Sequence, residues 1–224
     1  MTRGVAAYEG CYEAPRAAAL SGVPTSTVYD WARKGVVVPS VSAEREKLWS
    51  YADLMALRIV YWLRHPKGDN DVVPASPMPE VRRALGRLDE LGLDIWANGN
   101  GGSSPLLVDR GARIYIAAAG DVMDASGQHV IDECLDLLAP FLDDGKVRGP
   151  DLRRPRPLLR IVPGKCAGEP HLSGTRLTTQ TLAALVDRGY DVDGIYRLYP
   201  DQDLDAIREA IDLERQLGSY APAA

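Results

Sequence analysis

The chain has 224 residues, 46% apolar and 25% charged, with a formal net charge of −5, an ordinary globular mixture with material for one large or two to three small domains. No apolar run approaches the roughly 18 residues needed to span a bilayer, and the opening MTRGVAAYEGCYEAP has no apolar h-region, so a cytoplasmic protein without a signal peptide is expected. Cys11, Cys134 and Cys166 are odd in number and far apart, which argues for a reducing compartment and against a disulfide framework.

Charge is uneven: residues 1–68 carry nine basic and six acidic side chains, 69–149 seven and fourteen, and 150–224 ten and eleven. Phosphate contacts act within a Debye length, so the first segment is where a nucleic-acid surface is expected despite the acidic total. The polar stretches GDNDVVPASPMP (68–79) and GKVRGPDLRRPRP (145–157) read as joints, because proline spacing favours extended chain. They divide the chain into three expected domains, 1–68, 79–148 and 158–217.

The first unit reads as helix, turn, helix, hairpin, helix. PRAAALSG is a short helix stopped by Gly22, and TSTVYDWARKG a second one with Thr25 as N-cap and Gly35 as stop. Ala17, Leu20, Val23, Val28 and Trp31 fall at helical spacing and form its expected core. VVVP and KLW are expected as extended segments around the polar SVSAERE. SYADLMALRIVYWLRH is a helix with Ser50 as cap and apolar residues around most of its circumference, so it is buried on more than one side.

The second unit opens with the helix PEVRRALGRLDELG, followed by strands at LLVD, RIYIA and GDVMD; VIDECLDLLAPF is expected to close it as an amphipathic helix. The third starts with the extended LLRIV. The loop GKCAGEPHLSGTRLT follows, with Ser173-Gly174 turning a hairpin, Thr175-Arg176-Leu177 as its second strand and Thr178 capping a helix. TTQTLAALVDRG, DVDGIYRLYP and DLDAIREAIDLERQL are three helices. The second has Asp191 as N-cap, Pro200 as stop, and Val192, Ile195, Tyr196 and Tyr199 on its apolar face.

The expected fold class is thus α+β, mainly helical: an N-terminal winged helix-turn-helix, a small α+β middle module, and a C-terminal β-hairpin plus three helices. The glycine loop is not a phosphate cradle on sequence grounds. A Walker loop needs Ser or Thr after its lysine, where this chain has Cys166, and glycines 164, 168 and 174 miss the dinucleotide spacing. His65, His129 and His171 are isolated and no Cys-x-x-Cys pair exists, so no metal, cofactor or catalytic set is expected. The strongest positive signal is the helix-turn-helix. Thr25, Ser26, Thr27 and Tyr29 are placed to reach base edges, Arg33 and Lys34 to hold phosphates, and Arg45 and Lys47 to touch the backbone from a wing.

Residues 13–64 resemble the winged helix-turn-helix of the MerR family through Ala17, Leu20-Ser21-Gly22-Val23, Thr27-Val28, Trp31, Gly35, Pro39, Ser50-Tyr51 and Asp53-Leu54. That family usually carries arginine where this chain has Tyr29 and a serine-like cap at Pro24. Residues 159–217 resemble the antitoxin domain of VapB-type toxin–antitoxin modules through Gly168-Glu169-Pro170, Gly174-Thr175-Arg176, Gly189, Tyr199-Pro200 and Asp203-Leu204, with Leu177 where the family has isoleucine. The resemblance implies a type II antitoxin, not an enzyme. It would neutralise a PIN-domain ribonuclease toxin and autoregulate its operon as a homodimer on double-stranded operator DNA. Arg153, Arg154 and Arg156, on the joint before the C-terminal domain, are the expected toxin-binding residues, because a guanidinium pairs bidentately with a nuclease's carboxylates. The rival expectation is a MerR-like transcription regulator sensing a small molecule through 79–148.

Overall fold

The computed structural model describes residues 9–66, 74–90, 103–108, 111–118, 121–123, 133–136, 138–143 and 146–220. Helices and small antiparallel sheets make an α+β, mainly helical chain. It forms two compact units, one of residues 1–54 with 139–224 and one of residues 55–138.

The first unit begins with the two-residue strand β1 (Tyr12–Glu13), helix α1 (Ala14–Ser21) and helix α2 (Thr25–Arg33). Pro15 sits in the first turn of α1, where its missing N–H costs nothing. Gly22 ends α1 in the left-handed region at φ 77° and returns its N–H to the Ala18 carbonyl. An added Cβ there would lie 2.9 Å from the backbone of Arg148 and Gly149 and from the Phe141 ring, so both the turn and the packing demand glycine. The expected core holds: Ala17, Leu20, Val23, Val28 and Trp31 are all buried. Thr25 is not the cap of α2. The cap position is Pro24, whose carbonyl accepts from the Thr27 and Val28 amides, and Thr25 is already helical.

The extended stretch after α2 is shorter than VVVP and KLW suggest. Only β2 (Leu48–Trp49) is a strand, and it pairs antiparallel with β1, not with VVVP. The polar tip is closed by a single bridge, Ser42 to Leu48. Helix α3 (Tyr51–Leu63) starts in this unit, and the division between units falls after Leu54. Ser50 caps it as expected: its hydroxyl accepts from the Asp53 amide while Asp53 accepts from the Ser50 amide, a reciprocal box. Leu54, Met55, Leu57, Arg58, Ile59, Val60 and Leu63 have no exposed surface, so α3 is covered on all sides within one chain.

Within the second unit, helix α4 (Met78–Glu90) packs through Val81, Ala84 and Leu88 near a sheet of β3 (Ser103–Val108), β4 (Ile114–Ala118), β5 (Asp121–Met123) and β6 (Glu133–Asp136). The sheet runs antiparallel in the order β5-β4-β3-β6. The helix expected at VIDECLDLLAPF (130–141) is not formed in its described part: 133–136 is strand β6 and 138–139 a bend, while 130–132 and 137 lie outside the described residues. Leu107 pairs with Cys134 and Val108 with Glu133, which satisfies the backbone on the second edge of β3. Asp136 then accepts from the Leu138 amide and turns the chain out of the strand. A short apolar run does not distinguish helix from strand by its period, and the unpaired edge decides.

The chain re-enters the first unit as a hairpin, β7 (Phe141–Asp143) with β8 (Lys146–Gly149). After it come β9 (Leu159–Arg160), a single 3-10 turn at Cys166–Gly168, and β10 (His171–Leu172), paired antiparallel with β9. The Ser173-Gly174 turn is present, with Gly174 at φ 79°, but the second strand is not Thr175–Leu177: β10 pairs back to β9, and the returning chain adds one bridge from His171 to Thr178. Helices α5 (Thr179–Asp187), α6 (Val192–Leu198) and α7 (Leu204–Tyr220) complete the unit. Thr178 and Asp191 cap α5 and α6 through their side chains, as read from sequence. Leu182, Ile195, Ile207, Ala210, Ile211 and Leu213 form the buried seam between them.

Candidate functional site

The second helix of the helix-turn-helix presents a polar outer face beside the polar tip. Ser26, Tyr29, Arg33 and Lys47 line one shallow cleft together with Val38, Pro39 and Ala43. Thr25 and Thr27 lie partly exposed at the start of the same helix, and Arg45 is exposed on the tip. The eight sequence-expected DNA-contacting residues thus lie on α2, at its C-cap (Lys34) and on the tip that follows it. Tyr29 is half exposed and meets the Trp49 ring edge-on at 6.4 Å, which sets the angle of its ring on the strand behind.

The cations are not idle. Arg33 and Lys34 both pair with Asp30, at 2.6 and 2.7 Å, and hydrogen bonds from Lys34 and Arg33 hold the Asp30 carboxyl below its usual range. Lys47 donates to the carbonyls of Ala43 and Glu44 and so braces the tip. Four cations stand against Asp30, Glu44 and Glu46 on this surface, so its net field is small. Asp53 ties the tip to α3, accepting from the Ser40 amide and hydroxyl at 2.8 Å each; its burial pushes its pKa up despite these bonds.

The glycine loop is a joint between α1 and the C-terminal helices. Tyr12 donates to the Gly168 carbonyl at 2.7 Å, and the Cys11 amide to the Ala167 carbonyl at 3.0 Å. Burial pushes the Tyr12 phenol far up, so it stays protonated and donating. Next to it, Arg16 of α1 is clamped between Glu169 and Glu214, with Arg16 Nη2–Glu169 Oε2 at 2.6 Å and Arg16 Nη1–Glu214 Oε2 at 2.8 Å. Only 11 to 14% of these three side chains is exposed. Burial works against the Arg16 charge, but its hydrogen bonds to Glu214 and Glu169 and their charges outweigh it and raise its pKa; burial lifts that of Glu169. Thr179 at the start of α5 donates to Glu214 and closes the network. Sequence reading missed this group. Its only trace is a lone cation inside an alanine-rich helix, PRAAALSG, where nothing names the partners 153 and 198 residues away.

The joint read at 145–157 is folded over its described residues, 146–157. Asp151 accepts from the Arg153 and Arg154 amides at 2.7 and 2.6 Å, Leu152 and Pro155 are buried, and Tyr51 donates to the Leu152 carbonyl at 2.7 Å. Arg156 pairs with Asp212 and Gln216 on α7. Arg153 and Arg154 remain exposed, but on an anchored turn in place of the extended joint expected. His171 is buried and hydrogen-bonded to the Glu169 carbonyl, with its pKa pushed down by burial. Among the described residues no group of three or more His, Cys, Asp or Glu is arranged to hold a metal ion, and no helix is long and apolar enough to cross a membrane.

Residues 160–212, from β9 into α7, match a family described as DUF433, a protein of unknown function. No curated protein and no solved structure matches the chain.

Proposed function

We propose that this chain is the antitoxin of a type II toxin–antitoxin pair, which neutralises a PIN-domain ribonuclease and represses its own operon through the α1–α2 helix-turn-helix. The observation that carries the reading is a helix α2 whose exposed Ser26, Tyr29 and Arg33 and partly exposed Thr25 stand beside a tip carrying Arg45 and Lys47, in one compact unit with the C-terminal three-helix module. Thr25, Ser26, Thr27 and Tyr29 read base edges in the major groove; Arg33, Lys34, Arg45 and Lys47 hold phosphates. Because Asp30, Glu44 and Glu46 offset those cations, one copy binds weakly. Two copies on half-sites one helical turn apart, about 34 Å, supply the affinity.

The test is a titration of promoter DNA from the chain's own operon between 50 and 200 mM salt. Arg33→Ala with Lys34→Ala lowers affinity on all sequences and reduces the logarithmic salt slope by about one to two. An unchanged slope removes the DNA role. Co-purification of the neighbouring ribonuclease, with its RNA cleavage suppressed, tests the other half; undiminished cleavage removes it. A second reading is a MerR-like regulator with a small-molecule sensor in 79–148, most of which lies in the separately compact residues 55–138. Under that reading an effector shifts DNA affinity and no nuclease co-purifies.

A further inference from the structure

Sequence periodicity puts Tyr196 on the buried face of α6 with Val192, Ile195 and Tyr199. In the structure Ile195 is buried, while Tyr196 is 39% exposed, Leu198 51%, and Tyr190, just before the helix, 44%. These are three of the large apolar side chains the chain leaves in water; Tyr196 and Leu198, two residues apart, flank the exposed Arg197 on the outer surface of α6, and Tyr190 lies at its entry. The Tyr190 ring and the Arg197 guanidinium both lie over Gly194, 3.5 and 3.8 Å from where its Cβ would stand. Around this face the stretch 187–203 carries five aspartates against two arginines, and all seven side chains are exposed.

We propose that the α6 face is the surface that engages the ribonuclease, and that it does so by presenting the chemistry of RNA. The proposal rests on the antitoxin reading. A ribonuclease must hold a polyanion with unstacked bases, so the rim of its substrate channel is basic and offers platforms for flat rings. Tyr190 and Tyr196 supply flat rings, and Asp187, Asp191 and Asp193 supply the carboxylates beside them. Charge complementarity thus selects a basic partner surface, and the exposed rings supply anchors of the kind in which protein interfaces concentrate their binding energy. The anchored Arg153–Arg156 turn is the rival contact, and it would select the acidic metal site of the same enzyme.

The experiment measures the affinity of the full-length chain for the ribonuclease encoded beside it, by calorimetry and by inhibition of RNA cleavage, at two salt concentrations. Tyr196→Arg with Leu198→Arg is expected to weaken binding at least 100-fold, and the milder Tyr196→Ala about tenfold, each with the thermal midpoint held. Arg153→Ala with Arg154→Ala is expected to leave affinity within twofold. Short RNA oligonucleotides should compete with the wild-type chain for the nuclease. The proposal is overturned if both α6 variants bind within threefold of wild type, or if the arginine variant alone loses inhibition. If the wild-type chain fails to bind the nuclease at all, the antitoxin reading itself falls; if it binds with the α6 variants unaffected, only this surface does.

Discussion

Gly168 carries a large share of what distinguishes this chain at the level of single residues. It sits at φ 79°, follows two residues also at positive φ, Cys166 and Ala167, and its absent Cβ would stand 2.1 Å from the Tyr12 hydroxyl. The glycine-rich loop is thereby explained without a ligand: its backbone is bent so that Tyr12 can reach the Gly168 carbonyl. Gly168→Ala combines a left-handed strain of about 1–2 kcal/mol with an overpacking cost of about 1–3 kcal/mol. It is expected to destabilise the first unit by about 2–5 kcal/mol in urea unfolding. Tyr12→Phe alone removes a buried hydrogen bond and costs about 0.5–1.5 kcal/mol. In the Gly168→Ala background it removes the closest of the clashing atoms, the hydroxyl, so the double variant is more stable than the sum of the two single costs predicts. Additive costs would show that Tyr12 and Gly168 do not meet as described.

Between elements, the same joint works through charge. Arg16 fastens α1 to the loop at Glu169 and to α7 at Glu214, with two carboxylates sharing one guanidinium. A buried charge cluster of this kind is costly to break one member at a time, because the remaining charges stay desolvated without a partner. Arg16→Ala is expected to cost about 3–5 kcal/mol, and Arg16→Met less, since it refills the volume and leaves only the carboxylates to rehydrate or protonate. Glu169→Gln with Glu214→Gln in the Arg16→Met background should recover part of the loss, read as a rise in the urea midpoint; no recovery would mean that volume and not charge dominates. This cluster marks the limit of what the sequence discloses. The helices, their stops at Gly22 and Pro200, and the caps at Ser50, Thr178 and Asp191 follow from local chemistry and are legible residue by residue. The α2 face was legible for the same reason: its polarity and its neighbours in sequence lie together in space. Pairings over long separations leave no local mark. β1 pairs with β2, and β10 with β9, where nearer candidates were expected; β6 takes the free edge of β3 where a helix was expected. Tyr196 fits the apolar period of α6 but lies outside it, because a seven-residue helix buries too narrow a stripe for four side chains.

At the scale of the molecule, the first unit is assembled from both ends of the chain, so its N-terminal helix-turn-helix does not carry a complete core. Gly22 rests on the backbone of the β7–β8 hairpin, Tyr51 bonds Leu152, Tyr12 bonds Gly168 and Arg16 bonds Glu214. A fragment of residues 1–66 loses all four contacts and uncovers α3, whose residues from Leu54 to Leu63 are largely buried. So small a piece buries too little apolar surface to offset its chain entropy once those partners are gone. The fragment is therefore expected to show no cooperative urea transition and to bind operator DNA at least 100-fold more weakly than the full chain. Its amide resonances should collapse into the narrow range of an unfolded chain. The converse holds for full-length protein carrying Gly22→Ala: it strains the turn and drives a methyl into Arg148, Gly149 and Phe141, so the two α helices are displaced while the capped helices α5 to α7 keep their protection from hydrogen exchange. A fragment that unfolds cooperatively and holds DNA within threefold of the full chain would show that the helix-turn-helix is an independent domain and that the C-terminal module merely adjoins it.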